Sequence, residues 1–221
     1  MTIWYTSDSH FGHVNIIEYC KRPFATVEEM DKALIENWNS VVKQSDLVIH
    51  MGDFAFTRNH DPNQYLKHLQ GTIILIAGNH DSSRTRKRMP FCCNQMIANI
   101  GPYRCLLNHR PIYPVGSDDP FKDSANEISV DGFDFVISGH IHQLRIFSGI
   151  SLNVGVDVTN FLPITQERVL ELLNERSKTP GFRNPVHTDP KVLATMGGGR
   201  YAEFVPALAT PIKEPTDADK T

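Results

Sequence analysis

Gly71-Thr72-Ile73-Ile74-Leu75-Ile76-Ala77-Gly78-Asn79-His80-Asp81 is the stretch on which the fold turns. An apolar, largely β-branched run of strand length begins after one glycine and stops at another, and polar groups follow it at once. The same design appears upstream. Ile3 to Ser7 is a short buried-strand sequence that stops at Asp8 and His10, and Asp46 to His50 is a second one, closed by Gly52-Asp53. Between them, Thr26-Val27-Glu28-Glu29 has capping-box spacing, and Met30, Leu34, Trp38 and Val41 recur at helical intervals. That predicts a helix of roughly four turns ending near Lys43 or Gln44. A shorter helix is expected from Asn63 to Leu69. Strands alternating with helices indicate an α/β sheet with crossovers, whose ligands collect at the carboxyl ends of the strands.

Working outward, the second half shifts toward strand and turn. Tyr103 to Leu107, Phe133 to Ser138, Ile146 to Ser148 and Ile150 to Val154 have no long helix between them and read as a second, mixed sheet. Thr165 to Glu175 reads as a capped helix that closes the domain. After Lys178 prolines recur, Gly197-Gly198-Gly199 sits among them, and apolar periodicity ends. The expected division is therefore a folded domain over 1–177 and a Pro/Gly-rich extension over 178–221, with Tyr201 to Val205 able to dock as one strand.

Composition bounds the function. A chain of 221 residues with 40% hydrophobic content can bury one good-sized core. A net charge of −3 gives no basic excess for a non-specific polyanion binder, so any phosphate recognition must be local. Cys20, Cys92, Cys93 and Cys105 form no C-x-x-C pair and read as reduced thiols. Met1 leads straight into a strand-like run, with no charged region and long apolar core of a leader, and no stretch suits a membrane span. The expectation is a soluble, cytoplasmic protein with no membrane partner; the sequence leaves the oligomeric state open.

Five clusters carry the chemistry: Asp8-Ser9-His10, Gly52-Asp53, Gly78-Asn79-His80-Asp81, Asn108-His109 and Gly139-His140-Ile141-His142. Most follow an apolar run. Together they supply about seven oxygen and imidazole ligands, close to what two adjacent divalent ions require. An amide oxygen such as that of Asn79 is a hard, neutral ligand, and His80 beside it can stand off the metal and meet substrate. His140 and His142 occupy alternate positions, with Ile141 expected to point into the core. Chance turns explain any one cluster, but not the ordered set.

That order, D-x-H, G-D, G-N-H-D, H and G-H-x-H, resembles the signature of the calcineurin-like metallophosphoesterase superfamily from about Ile3 to Val158. Ser7 to Ile17, with Arg22-Pro23-Phe24 after it, is also similar to a small bacterial and bacteriophage phosphoesterase subgroup. The resemblance implies an α/β, four-layer sandwich: two mixed β-sheets flanked by helices. It assigns Asp8, His10, Asp53 and His142 to one metal and Asp53, Asn79, His109 and His140 to the other, with Asp53 bridging. It also implies that His80 acts as proton or hydrogen-bond donor to the leaving oxygen, and Asp81 would be the second catalytic residue, orienting its ring. Arg110-Pro111 resembles the family's turn after the histidine.

The implied activity is a binuclear, metal-dependent phosphoesterase, in which a hydroxide bridging two divalent ions ~3.5 to 4 Å apart attacks a phosphate ester. With oxygen and nitrogen ligands but no thiolate, Mn, Fe, Ni or Zn would serve. Without a large inserted cap, the reading leans to a phosphodiesterase of nucleotides or small metabolites; a nucleic-acid substrate is less favoured. A small-molecule or protein phosphomonoesterase is the alternative, and a non-catalytic binding scaffold a more distant one. His13, Asn15 and Arg84 are candidate substrate contacts, the last within the basic run Arg84, Arg86, Lys87 and Arg88. Substrate-shaping loops are expected at Phe11 to Phe24, Phe54 to Pro62, Ser82 to Phe91 and Tyr113 to Glu127. His50 has no companion at ligand spacing and reads as ordinary.

Overall fold

The computed structural model describes residues 1–56, 61–112, 132–179 and 182, with the backbone of 202 and 203. The expected loop from Tyr113 to Glu127, and most of the C-terminal extension, lie outside the described residues. In chain order the elements are β1 (Ile3–Thr6), α1 (Val14–Tyr19), α2 (Val27–Val41), β2 (Leu47–His50), α3 (Asn63–Leu66), β3 (Thr72–Ile76), α4 (Ser83–Arg88), β4 (Phe91–Cys93), β5 (Gln95–Ile100), β6 (Tyr103–Asn108), β7 (Phe135–Ser138), β8 (Phe147–Ser148), β9 (Ser151–Asn153), β10 (Ile164–Thr165), α5 (Gln166–Ser177) and β11 (Ala202–Glu203).

These build two mixed sheets flanked by helices, ordered β10-β1-β2-β3-β4 and β11-β5-β6-β7-β9-β8. In the first sheet β1 to β4 are parallel, and β10 runs antiparallel to β1. Its central strands are buried on both faces, which is why they read as continuous apolar runs. Leu47, Ile49, Ile74 and Ile76 face the second sheet, where Met96, Leu107, Phe135, Ile137 and Leu152 meet them. Val48, Ile73 and Leu75 face outward onto Met30, Leu34 and Trp38 of α2. The Thr26 hydroxyl caps α2 by accepting from the Glu29 N–H, a contact of about 1 kcal/mol. Glu29 reaches back to the Ala25 N–H, one residue short of a regular capping box.

Five of these elements lie where none was expected, the shortest being β10. α1 replaces part of the expected loop after Phe11, although Val14, Ile16 and Ile17 are β-branched and its first turn has no side-chain cap. Docking of Ile16 into the outer core compensates for that poor propensity. α4 occupies the basic run, capped by Ser82. β4 and β5 form a sheet edge and a long antiparallel pair with β6. The extension contributes β11, which pairs with β5 at Met96 and Ile97. It also contributes Phe182, stacked on Phe135 at 5.3 Å. Among the described residues, no helix is long and apolar enough to cross a membrane.

Candidate metal centre

Every candidate ligand cluster emerges at the carboxyl end of a strand. Asp8 and His10 follow β1, Asp53 follows β2, Asn79 and His80 follow β3, His109 follows β6, and His140 and His142 follow β7. Backbone bonds join the loops beyond the strands: the Asp8 N–H donates to the Gly52 carbonyl at 3.0 Å, His10 to Asp53 at 2.9 Å, and Gly139 to His109 at 2.9 Å. Gly78 and Gly139 make this approach possible, because a side chain at either would run into the Asp53 or Asp8 carboxylate.

The expected ligand side chains form two groups, and Cys20, His142 and Asp157 make a third of the same spacing behind His142. Asp8, His10 and His142 each offer a ligand atom, all within 4.8 Å of one another, and Asp53, His109 and His140 do the same. Asp53 stands between the groups. Its Oδ2 lies 3.5 Å from His10 Nε2 and 3.3 Å from His109 Nε2, while Oδ1 accepts from the His80 N–H at 2.8 Å. His109 donates from Nδ1 to the Met51 carbonyl at 2.7 Å, so Nε2 is the nitrogen aimed at Asp53 and at Asn79 Oδ1, 3.1 Å away.

Three observations fit this pair of groups to bound cations. His10 Nε2 is buried and lacks a hydrogen-bond partner, a costly condition that a cation removes. Acceptor atoms of Asp53 and Asn79 converge on one imidazole nitrogen. Of the eight non-glycine residues with left-handed backbone among the described residues, five are Asp8, His10, Asp53, His140 and His142. Such backbone costs on the order of 1 kcal/mol per residue and clusters where function requires it.

Charge is divided evenly among the imidazoles. Burial pushes His10 far below the ordinary histidine range, and burial with the neighbouring His109 lowers His140 to about 4. Burial also opposes charge on His109 and His142, but it is outweighed. The Asp53 hydrogen bond raises His109, and the Asp157 hydrogen bond raises His142 to about 10. Burial raises Asp8, whereas at Asp53 it is overcome by His109 and His10, and the carboxyl is held well below its usual range.

The remaining expected residues fare differently. His80 is exposed, its ring 5.4 Å from that of His10. His80 and His13 line one cavity with His10, His140 and His142, and the His13 ring is stacked on Phe56 at 4.4 Å. Asn15 and Arg84 are exposed on α1 and α4 and do not line that cavity. Asp81 does not orient the His80 ring. It is buried, and its two oxygens accept from the N–H groups of Asp53, Phe54 and Gly78 at 2.8 to 2.9 Å. Ile141 lines the cavity and does not enter the core, because His140 and His142 take left-handed backbone in a turn and strand alternation does not apply. From the basic run it is Arg86 that serves the site, donating to the carbonyls of Asp81 and Gly78.

Several supporting residues escaped the sequence reading. His50 is buried and far from ordinary. The Gly52 N–H donates to its Nδ1, so its Nε2–H donates to Ser9 Oγ at 2.9 Å, tying the first two clusters together. Asn153 donates to the His142 carbonyl at 2.7 Å and accepts from Gly155. Arg22 and Asp157 form a buried ion pair beside His142. A signal existed for two of them: Arg22 belongs to the Arg22-Pro23-Phe24 stretch, and Asp157 follows a strand just as the ligands do.

The comparisons with known proteins agree with this architecture. Residues 1–156 match the profile of the calcineurin-like phosphoesterase superfamily domain. Uncharacterized protein MJ1445 of Methanocaldococcus jannaschii is 35% identical over 182 residues, covering 78% of this chain and 92% of that protein. The gene 66 protein of Mycobacterium phage L5 is 27% identical over 212 residues, 84% of this chain and 98% of its own length. The crystal structure of AQ665, a protein of unknown function from Aquifex aeolicus, shares the fold with a TM-score of 0.61 at 26% identity, over 77% of this chain and 98% of that one. With the match spanning most of its length, the chain belongs to the calcineurin-like phosphoesterase superfamily.

Proposed function

We propose that the protein hydrolyses phosphate esters with two divalent cations, one held by Asp8, His10 and His142, the other by Asn79, His109 and His140, with Asp53 shared. The observation that carries this reading is the position of Asp53 Oδ2, within 3.5 Å of an imidazole nitrogen from each group. When bound there, divalent cations supply Lewis-acid charge for the phosphoryl oxygens and make a water acidic enough to act as nucleophile near neutral pH. Manganese, iron, nickel or zinc suits the oxygen and nitrogen donors.

The protein's own groups do the rest. Asp53 keeps both groups in register, and the carboxylate of Asp81 fixes the two loops that carry Asp53 and Asn79. The His80 main chain is pinned by its bond to Asp53, which leaves the ring over the cavity, where it donates a proton to the departing oxygen. The cavity measures about 510 Å³. His10, His13 and His80 line one part of it, Arg110 adds positive charge, and Ile16, Tyr19 and Leu144 give an apolar wall. Tyr19 and Leu144 are 65% and 55% exposed, an arrangement that suits the organic part of a nucleotide or small metabolite. A phosphodiester of that class is the substrate we favour.

The test is turnover of bis-p-nitrophenyl phosphate and of p-nitrophenyl phosphate by manganese-loaded protein, with Asp53→Ala as background. Diester turnover that vanishes in the variant supports the proposal. Faster monoester turnover makes the protein a phosphatase, and no turnover of either ester returns the scaffold reading.

A further inference from the structure

Arg22 is the most completely used side chain near the site. Its guanidinium is fully buried and presents five N–H donors, each with an acceptor. Nε and Nη2 take the two oxygens of Asp157 at 2.8 and 2.9 Å. Nη2 also donates to the Asp8 carbonyl at 2.7 Å, and Nη1 to the Ser9 carbonyl at 3.0 Å and to Met30 Sδ at 3.4 Å. Phe161 lies beneath the guanidinium at 6.0 Å. Asp157 in turn accepts from His142 Nδ1 at 2.8 Å. One planar cation thus grips the backbone of the first cluster and, through one carboxylate, the last histidine of the fifth, across 135 residues of chain.

We infer that Arg22 and Asp157 are positioning residues for the cation group Asp8, His10 and His142, a role that rests on the metal reading proposed above. With Nδ1–H held by Asp157, Nε2 is the nitrogen whose lone pair His142 can offer a cation. Hydrogen-bond partners of this kind set both the orientation and the basicity of a histidine ligand. Arg22 holds Asp157 in place and also holds the left-handed Asp8 to His10 turn. A lysine offers a point charge in place of a planar fork and cannot meet the four oxygen acceptors together. The substitution Asp157→Asn would set an amide N–H₂ against Arg22 Nε or, turned over, against both Arg22 Nη2 and His142 Nδ1. Facing His142, that amide would move the imidazole proton to Nε2 and remove the lone pair.

The experiment is titration of cation-free wild-type, Asp157→Asn and Arg22→Lys proteins with Mn²⁺ against a competing chelator, counting sites and affinities. Thermal unfolding of the same cation-free samples reports the fold. The wild type is expected to take two equivalents. Each variant should keep one equivalent at near wild-type affinity and bind the other roughly 10- to 100-fold more weakly. Should a variant be too unstable to titrate, Asp157→Glu, which keeps the carboxylate acceptor, is expected to restore the second equivalent in part. Two equivalents of unchanged affinity in both variants, even with lowered unfolding temperature, would make the pair structural only and overturn the inference while leaving the metal reading intact. A wild type that binds no Mn²⁺ would instead overturn the metal reading and this inference with it.

Discussion

The two candidate cation groups share Asp53 yet are held in place by different means. Around Asn79, His109 and His140 the fixing contacts are to the main chain. His109 is held by the Met51 carbonyl, the neighbouring loops are tied by three N–H bonds to Asp81, and the Gly139 N–H meets the His109 carbonyl. Around Asp8, His10 and His142 side chains do this work: Arg22, Asp157 and Asn153. A group fixed by backbone depends on how the loops close, and outside its ligands it is reached through Asp81 and Arg86. A group fixed by an ion pair can be disturbed alone.

The largest expected effect removes the comparison altogether. Asp53→Ala takes away the carboxylate between the groups, so both cation affinities should fall and turnover should drop at least about 1,000-fold. Cation counting on the purified variant checks this, and a variant that still held two equivalents would show that the groups do not depend on a shared carboxylate. Next is His80→Ala. Its ring belongs to neither group, so the loss should be in kcat, about 100- to 10,000-fold, with both cation equivalents retained. Loss of a cation would make His80 a ligand.

The same contrast explains what the sequence disclosed. The parallel strands and ligand clusters were legible because burial on both faces concentrates apolar residues in β2 and β3, and each polar cluster follows its strand directly. Asp53, Asn79, His109 and the two histidines after β7 are local features of this kind. The supports are not. Arg22 and Asp157 are joined across 135 positions, and no local pattern marks two such residues as partners. The left-handed turn at His140 and His142 is equally opaque, since its contacts come from Asp8, Asn153 and Asp157, all distant or unmarked in sequence. α1 was missed because its β-branched residues favour other conformations and only docking makes it helical. β5 was missed because Gln95 and Asn99, on its other face, interrupt the apolar run, although Met96, Ala98 and Ile100 alternate toward the core. Asp81 was given the wrong task for a related reason: adjacency to His80 suggested a ring contact, whereas its side chain turns inward to three amides.

That inward turn gives the third expectation. Asp81→Ala would leave three buried N–H groups without an acceptor, a cost of about 3 kcal/mol or more. Denaturant unfolding should show it. Folded variant that keeps the pH profile of wild-type turnover would confirm that Asp81 acts on the loops and not on the His80 proton. A changed profile at unchanged stability would return it to the catalytic role.

The smallest effect concerns the contact between the first two clusters, where both groups meet. His50 is wholly buried between Ser9 and Gly52, and burial lowers its pKa from 6.5 to about 3. The unfolded chain therefore binds a proton that the folded one refuses. Stability from this residue is complete above about pH 6.5 and is lost as pH falls from there toward about 3. At pH 5 the loss is about 2 kcal/mol. Comparing wild type with His50→Gln, both cation-free, cancels the titration of the ligand histidines, which is common to the two proteins. The wild type should lose about 2 kcal/mol more than the variant between pH 7.5 and 5. Equal losses would mean that His50 accepts its proton without unfolding, and that the Ser9 and Gly52 loops can part while the rest of the sheet holds.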